Sequence, residues 1–235
     1  MNSGSPGLLA PPDRRGRVFG AADDGLWWCV GDWMPRAADS LSLGPAASRS
    51  ARGDERARRI RERRETGRSW AEELVRARLG GAWPGFAPTP AGAKPRLNGA
   101  HGLDVSISHS GPTMLVALAL GAQVGADVEA APFDAFARPQ LVRRMCSPSE
   151  LEALAAVPEG AVRRRALARA WTVKEATLKA RGIGLAEDPR TVEVDLVATL
   201  ADVAQRSIGG AAGTRPELTI VRFGADGAEL RHPLA

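Results

Sequence analysis

The spacing of hydrophobic positions changes several times along the chain and predicts both strands and helices. Residues 25–33 (GLWWCVGDW) form a short apolar run between turn formers, which predicts a buried strand. From residue 54 to residue 79, apolar positions recur at helical spacing among charges, which predicts a helix broken at Thr66-Gly67 and ended by Gly80-Gly81. Residues 1–18 hold few apolar groups and are predicted to be a disordered tail.

Three apolar segments follow near the centre of the chain, at residues 103–108, 113–120 and 124–128. Turn residues separate them, and strands joined by such short loops favour an antiparallel meander.

The C-terminal part begins with two predicted helices. Residues 147–150 (SPSE) have the form of a capping box and predict a short helix, and residues 161–180 place apolar side chains on one helical face. Residues 191–196 and 217–223 are strand-like. The chain is therefore predicted to be α+β, with helices packed on antiparallel sheet.

The cations of the chain are almost all arginine. Of the 32 lysines and arginines only three are lysine, namely Lys94, Lys174 and Lys179. Where arginine has replaced lysine nearly everywhere, a retained lysine suggests a need for a compact ammonium group. The formal charge of +5 and a pI near 10.1 indicate an anionic partner, which leaves nucleic acid, a membrane surface, an acidic protein and a phosphorylated small molecule open.

Several classes of protein are disfavoured. Cys29 and Cys146 lie far apart without CxxC or Cys/His spacing, which argues against a disulfide framework or a zinc site. The N-terminal segment lacks the apolar core of a signal peptide, and no apolar stretch reaches the length of a membrane span. We therefore expect a soluble, cytoplasmic protein.

The first candidate chemistry is a pair of carboxylates, Asp127 and Glu129, at the end of a predicted strand. Side chains alternate across a strand, so both carboxylates project from the same face. Two like charges this close need a cation, and Mg²⁺ bridging them to a substrate phosphate would meet that need. A solvated strand end is the alternative that this motif leaves open.

The second candidate pair, Glu175 and Lys179, lies four residues apart on a predicted helix and shares one face. A surface ion pair would explain this spacing. However, two of the three lysines fall within residues 171–179, and in a chain so rich in arginine a surface pair would more often be Glu/Arg. Upstream, Ser108-His109-Ser110 offers hydrogen-bond donors where a strand meets a turn, which suits a phosphate contact as well as an ordinary turn. Lys94 projects from an extended segment before a proline.

Taken in their order along the chain, these segments resemble the 4′-phosphopantetheinyl transferases, specifically the larger single-chain Sfp and enterobactin-synthetase-activating type. The resemblance covers about residues 64–185, and Arg68 lies in a segment similar to the family's upstream GR-containing helix. The matched motifs are GKP as Gly92-Ala93-Lys94-Pro95 with one residue inserted, SHS as Ser108-His109-Ser110, GxDxE as Gly125-Ala126-Asp127-Val128-Glu129, W-[ST]-x-K-E-x-x-x-K as residues 171–179, and the following Gly182-Ile183-Gly184-Leu185.

The resemblance implies a fold and a reaction. Family members of this size resemble two fused, similar α+β halves related by a pseudo-twofold, with the active site in the cleft between them. This implies an N-terminal half at residues 19–120 and a C-terminal half at residues 121–235. The implied reaction transfers the 4′-phosphopantetheine arm of coenzyme A to a serine of an acyl, peptidyl or aryl carrier protein and releases adenosine 3′,5′-bisphosphate. A monomer would suffice.

The resemblance also implies roles for individual residues. Asp127, Glu129 and Glu175 would hold Mg²⁺ on the diphosphate of coenzyme A. Glu175, directly or through a metal-bound water, would accept the serine proton, and Lys179 would stabilise charge on the leaving nucleotide. Further contacts with the phosphates of coenzyme A would come from Lys94, Ser108, His109 and Arg68.

Some alternatives stay open at this point. Lys174 has the weakest assignment, and Glu150 is interpreted as a helix cap, although the family has a glutamate near the site in this region. The arginine-rich residues 52–64 would also suit a nucleic-acid-binding protein. The carboxylates would suit another Mg²⁺-dependent phosphoryl-group enzyme, such as a phosphohydrolase.

Overall fold

The computed structural model describes residues 7–10, 13, 16–22, 25–33, 49–81, 83–90, 93–99, 102–208, 215–224 and 227–234. Two antiparallel sheets and five helices form this part of the chain, which confirms the predicted α+β class. The first sheet has the order β1-β2-β3-β5-β4 and consists of β1 (Gly7–Ala10), β2 (Val18–Ala22), β3 (Leu26–Asp32), β4 (Leu103–Ser110) and β5 (Thr113–Leu120). The second has the order β6-β7-β8 and consists of β6 (Gln123–Glu129), β7 (Glu217–Phe223) and β8 (Glu229–Leu234). The helices are α1 (Arg49–Leu79), α2 (Pro139–Met145), α3 (Pro148–Ala155), α4 (Ala161–Ala180) and α5 (Leu196–Ile208).

The C-terminal half of α1 covers the first sheet. Trp70 and Leu74 are buried there in one apolar cluster with Met114 of β5. Gly67 lies so close to β4 that a Cβ at this position would come within 2.8 Å of Ile107 Cγ2. The predicted break at this glycine is wrong, because α1 is continuous and the missing side chain lets the helix pack closely on the sheet.

β6 begins the second sheet but lies beside β4 of the first. Every second side chain of β4 bonds to β6, so the sheets meet along a row of polar side chains. At the far end of this row the bonds reach carboxylates instead of backbone amides. The bonds join Asp104 to Val124 N (2.7 Å), Ser106 to Ala126 N (2.9 Å), Ser108 to Asp127 Oδ1 (2.7 Å) and Ser110 to Glu129 Oε2 (2.8 Å).

α3 and α4 begin and end close to their predicted bounds. Ser147 and Glu150 form the predicted capping box, in which Ser147 N donates to Glu150 Oε2 (2.8 Å) and Glu150 N donates to Ser147 Oγ (3.3 Å). α4 packs on the second sheet, where Ala176 and Ala180 are buried with Val221 of β7. This packing presents the side of α4 that carries the second candidate pair to the end of β6.

The structure corrects three sequence predictions. β1 pairs with β2, so a disordered tail over residues 1–18 is wrong for Gly7–Ala10, where strand pairing satisfies the backbone. Residues 1–6, 11–12 and 14–15 of that prediction lie outside the described residues. β6 pairs with β7 instead of continuing the meander from β5. Residues 191–196 are not a strand, because Asp195 accepts a hydrogen bond from Ala198 N (2.9 Å) and caps α5.

The chain passes from the first sheet to the second at residues 121–122, between β5 and β6. The predicted division into halves at residues 120 and 121 stays a prediction, as does the similarity of the halves. Among the described helices, none is long and apolar enough to span a membrane. Cys29 and Cys146 are buried free thiols.

Candidate active site

A cavity of about 610 Å³ opens where α1, β4, β6 and α4 meet. Seven of the eight predicted site residues line it. They are Arg68 from α1, Ser108 and His109 from β4, Asp127 and Glu129 from β6, and Glu175 and Lys179 from α4.

Lys179 lies among the carboxylates of this cavity. Its Nζ is 2.6 Å from Asp127 Oδ1 and 3.2 Å from Glu175 Oε2, and it donates to Ser108 Oγ (3.2 Å). Burial alone would lower the pKa of Lys179, but the charges and hydrogen bonds of Asp127 and Glu175 outweigh it and raise the pKa. The ammonium group is therefore charged at neutral pH.

Asp127 uses only one of its two carboxylate oxygens. Oδ1 accepts hydrogen bonds from Ser108 and Lys179, and the residue is 4% exposed. Oδ2 is buried and has no hydrogen-bond partner in the described part of the chain. A buried carboxylate oxygen without a partner is costly, so this atom is a ready ligand for a cation.

The other two carboxylates are held in a partly desolvated setting. Burial, followed by the charge of Asp127, raises the pKa of Glu129 to about 7, although Ser110 donates a hydrogen bond to it. Burial also raises the pKa of Glu175, against the opposing charge of Lys179. Both groups therefore exchange protons more readily near neutral pH than an exposed glutamate does.

The donor atoms of this cluster fit a hard cation such as Mg²⁺. Asp127, Glu129 and Glu175 offer only oxygen ligands, and Asp127 Oδ2 has no hydrogen-bond partner among the described residues. Over the residues that the structure describes, however, no three His, Cys, Asp or Glu side chains are arranged as a ready metal site. Lys179 lies between two of the predicted ligands, so metal binding by all three stays a prediction.

Three arginines of α1 also line the cavity. Arg63 and Arg64 line it together with the predicted Arg68. None of the three makes an ion pair with a described acidic residue. The guanidinium of Arg68 lies 4.7 Å from the centre of the Phe86 ring, and burial, followed by the charge of Arg64, lowers its pKa. The sequence interpretation did not assign Arg63 or Arg64 to the site. The i, i+4 spacing of Arg64 and Arg68 does indicate that these two share one face of the helix.

His109 lies at the end of β4, at the edge of the cavity. Partial desolvation, followed by the charges of Arg63 and Lys179, lowers the pKa of His109 to about 4. The imidazole is therefore neutral at neutral pH, and it offers one N–H donor and one acceptor to a ligand.

Lys94 does not line the cavity, although its neighbours Ala93 and Pro95 do. Its ammonium group forms an ion pair with Asp104, which also accepts the hydrogen bond from Val124 N. The predicted contact of Lys94 with a phosphate stays a prediction; in this structure the lysine pairs with Asp104 at the junction of β4 and β6.

Lys174 and Glu150 form an ion pair in the core, away from the cavity. Lys174 is 0% exposed, and its Nζ lies 2.9 Å from Glu150 Oε1. Its remaining donors meet the carbonyl oxygens of Pro189 and Val192. Glu150 is thus both the predicted cap of α3 and the partner of Lys174. The ion pair joins α4 to α3, and the other hydrogen bonds of Lys174 join α4 to the segment that follows it.

One comparison with known proteins matches this part of the chain. Residues 123–214 match the model of the family ACPS, the 4′-phosphopantetheinyl transferase superfamily. The matched range includes β6 and α4, which carry Asp127, Glu129, Glu175 and Lys179. This finding supports the superfamily for that range. Among curated proteins, no significant match to the chain was found.

Proposed function

We propose, from the superfamily match over residues 123–214, that the chain transfers the 4′-phosphopantetheine arm of coenzyme A to a serine of a carrier protein. The serine oxygen forms a bond to the phosphorus that bears the pantetheine arm. The bond from that phosphorus to the bridging oxygen breaks, and adenosine 3′,5′-bisphosphate leaves. The superfamily supports transfer of this kind, and the finer assignments below are our proposal.

The observation that carries the proposal is the presence of both signs of charge in one cavity. β6 and α4 contribute the carboxylates and Lys179, and α1 contributes three arginines without acidic partners among the described residues. Unpaired cations in the same cavity as a carboxylate cluster suit a ligand that is polyanionic and also binds a metal. Coenzyme A, with a diphosphate and a 3′-phosphate, has this character.

Mg²⁺ held by Asp127 and Glu129, with Glu175 as a further ligand, would polarise the attacked phosphoryl group. Glu175 is our candidate to accept the serine proton, since its raised pKa brings the carboxylate closer to the acidity that a general base needs near neutral pH. Lys179 would stabilise negative charge on the leaving bisphosphate.

The remaining polar residues of the cavity would bind phosphate groups. Arg63, Arg64 and Arg68 offer planar, multiply donating guanidinium groups. Ser108 and neutral His109 offer single donors at the end of β4.

The wider assignments follow from the same proposal. We propose that the chain is of the larger single-chain subtype and that its acceptors are acyl, peptidyl or aryl carrier proteins. We also propose that it is cytoplasmic and monomeric. The positive net charge suits the acidic surface of a carrier protein, because opposite charges steer association.

The test is mass spectrometry of an apo carrier protein after incubation with coenzyme A, Mg²⁺ and this chain. Addition of the phosphopantetheine arm to the acceptor serine supports the proposal. Asp127→Ala and Glu175→Gln should abolish the addition while the far-UV circular dichroism spectrum stays unchanged. Full activity in both variants at low Mg²⁺ would refute the metal assignment.

Detection of the released nucleotide and a DNA-binding titration separate the alternatives. Release of adenosine 3′,5′-bisphosphate without modification of the carrier would indicate a phosphohydrolase. Tight, steeply salt-dependent binding of random duplex DNA without binding of coenzyme A would indicate a nucleic-acid-binding protein. In the arginine-rich run, Arg58 and Arg59 pair with Glu55, and Arg58 also pairs with Glu62, which leaves fewer unpaired cations there.

A further inference from the structure

We infer that Lys179 acts as an internal cation that competes with Mg²⁺ for Asp127 and Glu175, and that the diphosphate of the donor relieves this competition. Metal and donor would then bind cooperatively. The inference rests on the proposed function for the identity of the donor, but the competition itself concerns only this chain and a divalent cation.

The ammonium group of Lys179 lies within ion-pair distance of two carboxylates. Lys179 Nζ lies 2.6 Å from Asp127 Oδ1 and 3.2 Å from Glu175 Oε2. These oxygens belong to two of the three carboxylates expected to hold the metal. The ammonium group therefore already supplies the counter-charge that a cation would bring.

Asp127 and Lys179 interact at a site that is shielded from water. Asp127 is buried and the side chain of Lys179 is only 25% exposed, so water screens charges poorly between them. A divalent cation that enters while the ammonium stays in place meets a repelling charge. If the ammonium leaves without a new partner, it loses two charge-assisted contacts. Either way, the protein alone should bind a divalent cation weakly.

The ammonium group of Lys179 can leave the carboxylates only if the cavity offers it another acceptor. Lys179 carries its charge on a flexible four-carbon stem with three rotatable donors, and it lines the same cavity as the arginines of α1. A diphosphate in this cavity would offer it new acceptors and free the carboxylates for the metal. Because such coupling is reciprocal, the metal must strengthen donor binding by the same factor.

The test begins with Mn²⁺ alone, added to the full chain without coenzyme A, with free Mn²⁺ measured by electron paramagnetic resonance. Lys179→Gln removes the internal cation and should tighten Mn²⁺ binding about tenfold, within the usual range of coupling between sites. Lys179→Arg keeps the positive charge and should therefore tighten Mn²⁺ binding much less than Lys179→Gln does. Arg181→Gln is the matched control, because it removes an exposed cation two residues along that pairs with Glu187, outside the cavity.

The second arm repeats the titration with saturating coenzyme A, corrected for the Mn²⁺ that coenzyme A binds by itself. In the wild type, coenzyme A should tighten Mn²⁺ binding by about tenfold more than it does in Lys179→Gln, where only direct ligation of the metal by the diphosphate remains. Circular dichroism will show whether the glutamine variant folds, and Lys179→Ala gives the same comparison if it does not. Equal tightening by coenzyme A in the wild type and in the folded variant would also overturn the inference.

The inference is overturned if Lys179→Gln folds and binds Mn²⁺ no more tightly than the wild type, or if coenzyme A leaves the Mn²⁺ affinity of the wild type unchanged while still binding. These outcomes differ from failure of the proposed function. That failure would show as unmodified carrier protein, and it leaves the Mn²⁺ result with the chain alone intact.

Discussion

Gly125 of β6 lies directly against Ala176 of α4. A Cβ at position 125 would come within 1.8 Å of the carbonyl oxygen of Ala176, so no side chain can separate strand and helix at this point. This close approach brings Glu175 and Lys179 of α4 to the carboxylate that follows on β6. The geometry of the site therefore depends on a glycine that has no chemical role.

Gly125→Ala should push α4 away from β6, because the obstructing atoms are backbone and cannot rotate aside. We expect a loss of about 3 kcal/mol in the free energy of unfolding, measured by urea denaturation, together with loss of carrier-protein modification. Gly53→Ala is the matched control, since position 53 is on the exposed part of α1 with nothing within 4 Å. That variant should be as stable as the wild type or up to about 1 kcal/mol more stable. Equal stability of Gly125→Ala and the wild type would contradict the close packing.

The sequence predicted the site best where local periodicity sets the direction of side chains. Asp127 and Glu129 share a face because strand residues alternate, and Glu175 and Lys179 share one because of the helical repeat. Both expectations agree with the lining of the cavity.

What the sequence could not predict depends on contacts between distant elements. Gly67 was interpreted as a helix break, but it is the point where α1 meets Ile107 of β4. Lys94 pairs with Asp104, and no local pattern in the sequence links these two residues. β6 leaves the meander because its hydrogen-bonding partner β7 lies about ninety positions along the chain.

The three lysines show how a compositional signal acquired physical meaning. Each ammonium group contacts at least one carboxylate in a partly or fully buried position, at Asp104 for Lys94, Glu150 for Lys174 and Asp127 for Lys179. The planar fork of an arginine is larger and differently shaped than these ammonium groups. The need for an ammonium group stays a prediction, and only Lys179 of the three lysines lines the candidate site.

Lys174→Met should be strongly destabilising, because it removes the ion-pair partner of Glu150 in the core. Removing one member of a buried ion pair costs about 3–5 kcal/mol, which urea denaturation will measure. The double variant Lys174→Met with Glu150→Gln should lose less than the sum of the two single variants, since no unpaired charge remains. Additive losses would show that the two residues are not coupled.

Glu129→Gln should make the chain more stable at high pH than the wild type. The pKa of Glu129 is raised to about 7 in the folded state from an ordinary 4.5, so its contribution to stability is complete below pH 4.5 and is lost as pH rises through 7. The glutamine variant lacks this loss. At pH 8 we expect a gain of about 1–3 kcal/mol in the free energy of unfolding, shrinking to nothing near pH 4.5.

The measurement for this variant is urea denaturation from pH 4.5 to pH 8 in EDTA, so that metal does not contribute. Glu152→Gln, at an exposed position of α3, is the control and should change stability little across the range. A gain for Glu129→Gln that does not depend on pH would show that Glu129 is not desolvated in the folded state.

Arg64→Gln and Arg68→Gln should each weaken the binding of coenzyme A about tenfold, because each removes a charged donor from the arginine-lined wall of the cavity. Isothermal titration calorimetry at several salt concentrations will measure this effect, and the dependence of affinity on salt should also become less steep. Arg61→Gln is the control, since Arg61 is exposed on the same helix but does not line the cavity. If all three variants weakened binding equally, the effect would come from the net charge of α1, and the assignment of this wall as the phosphate-binding surface would fail.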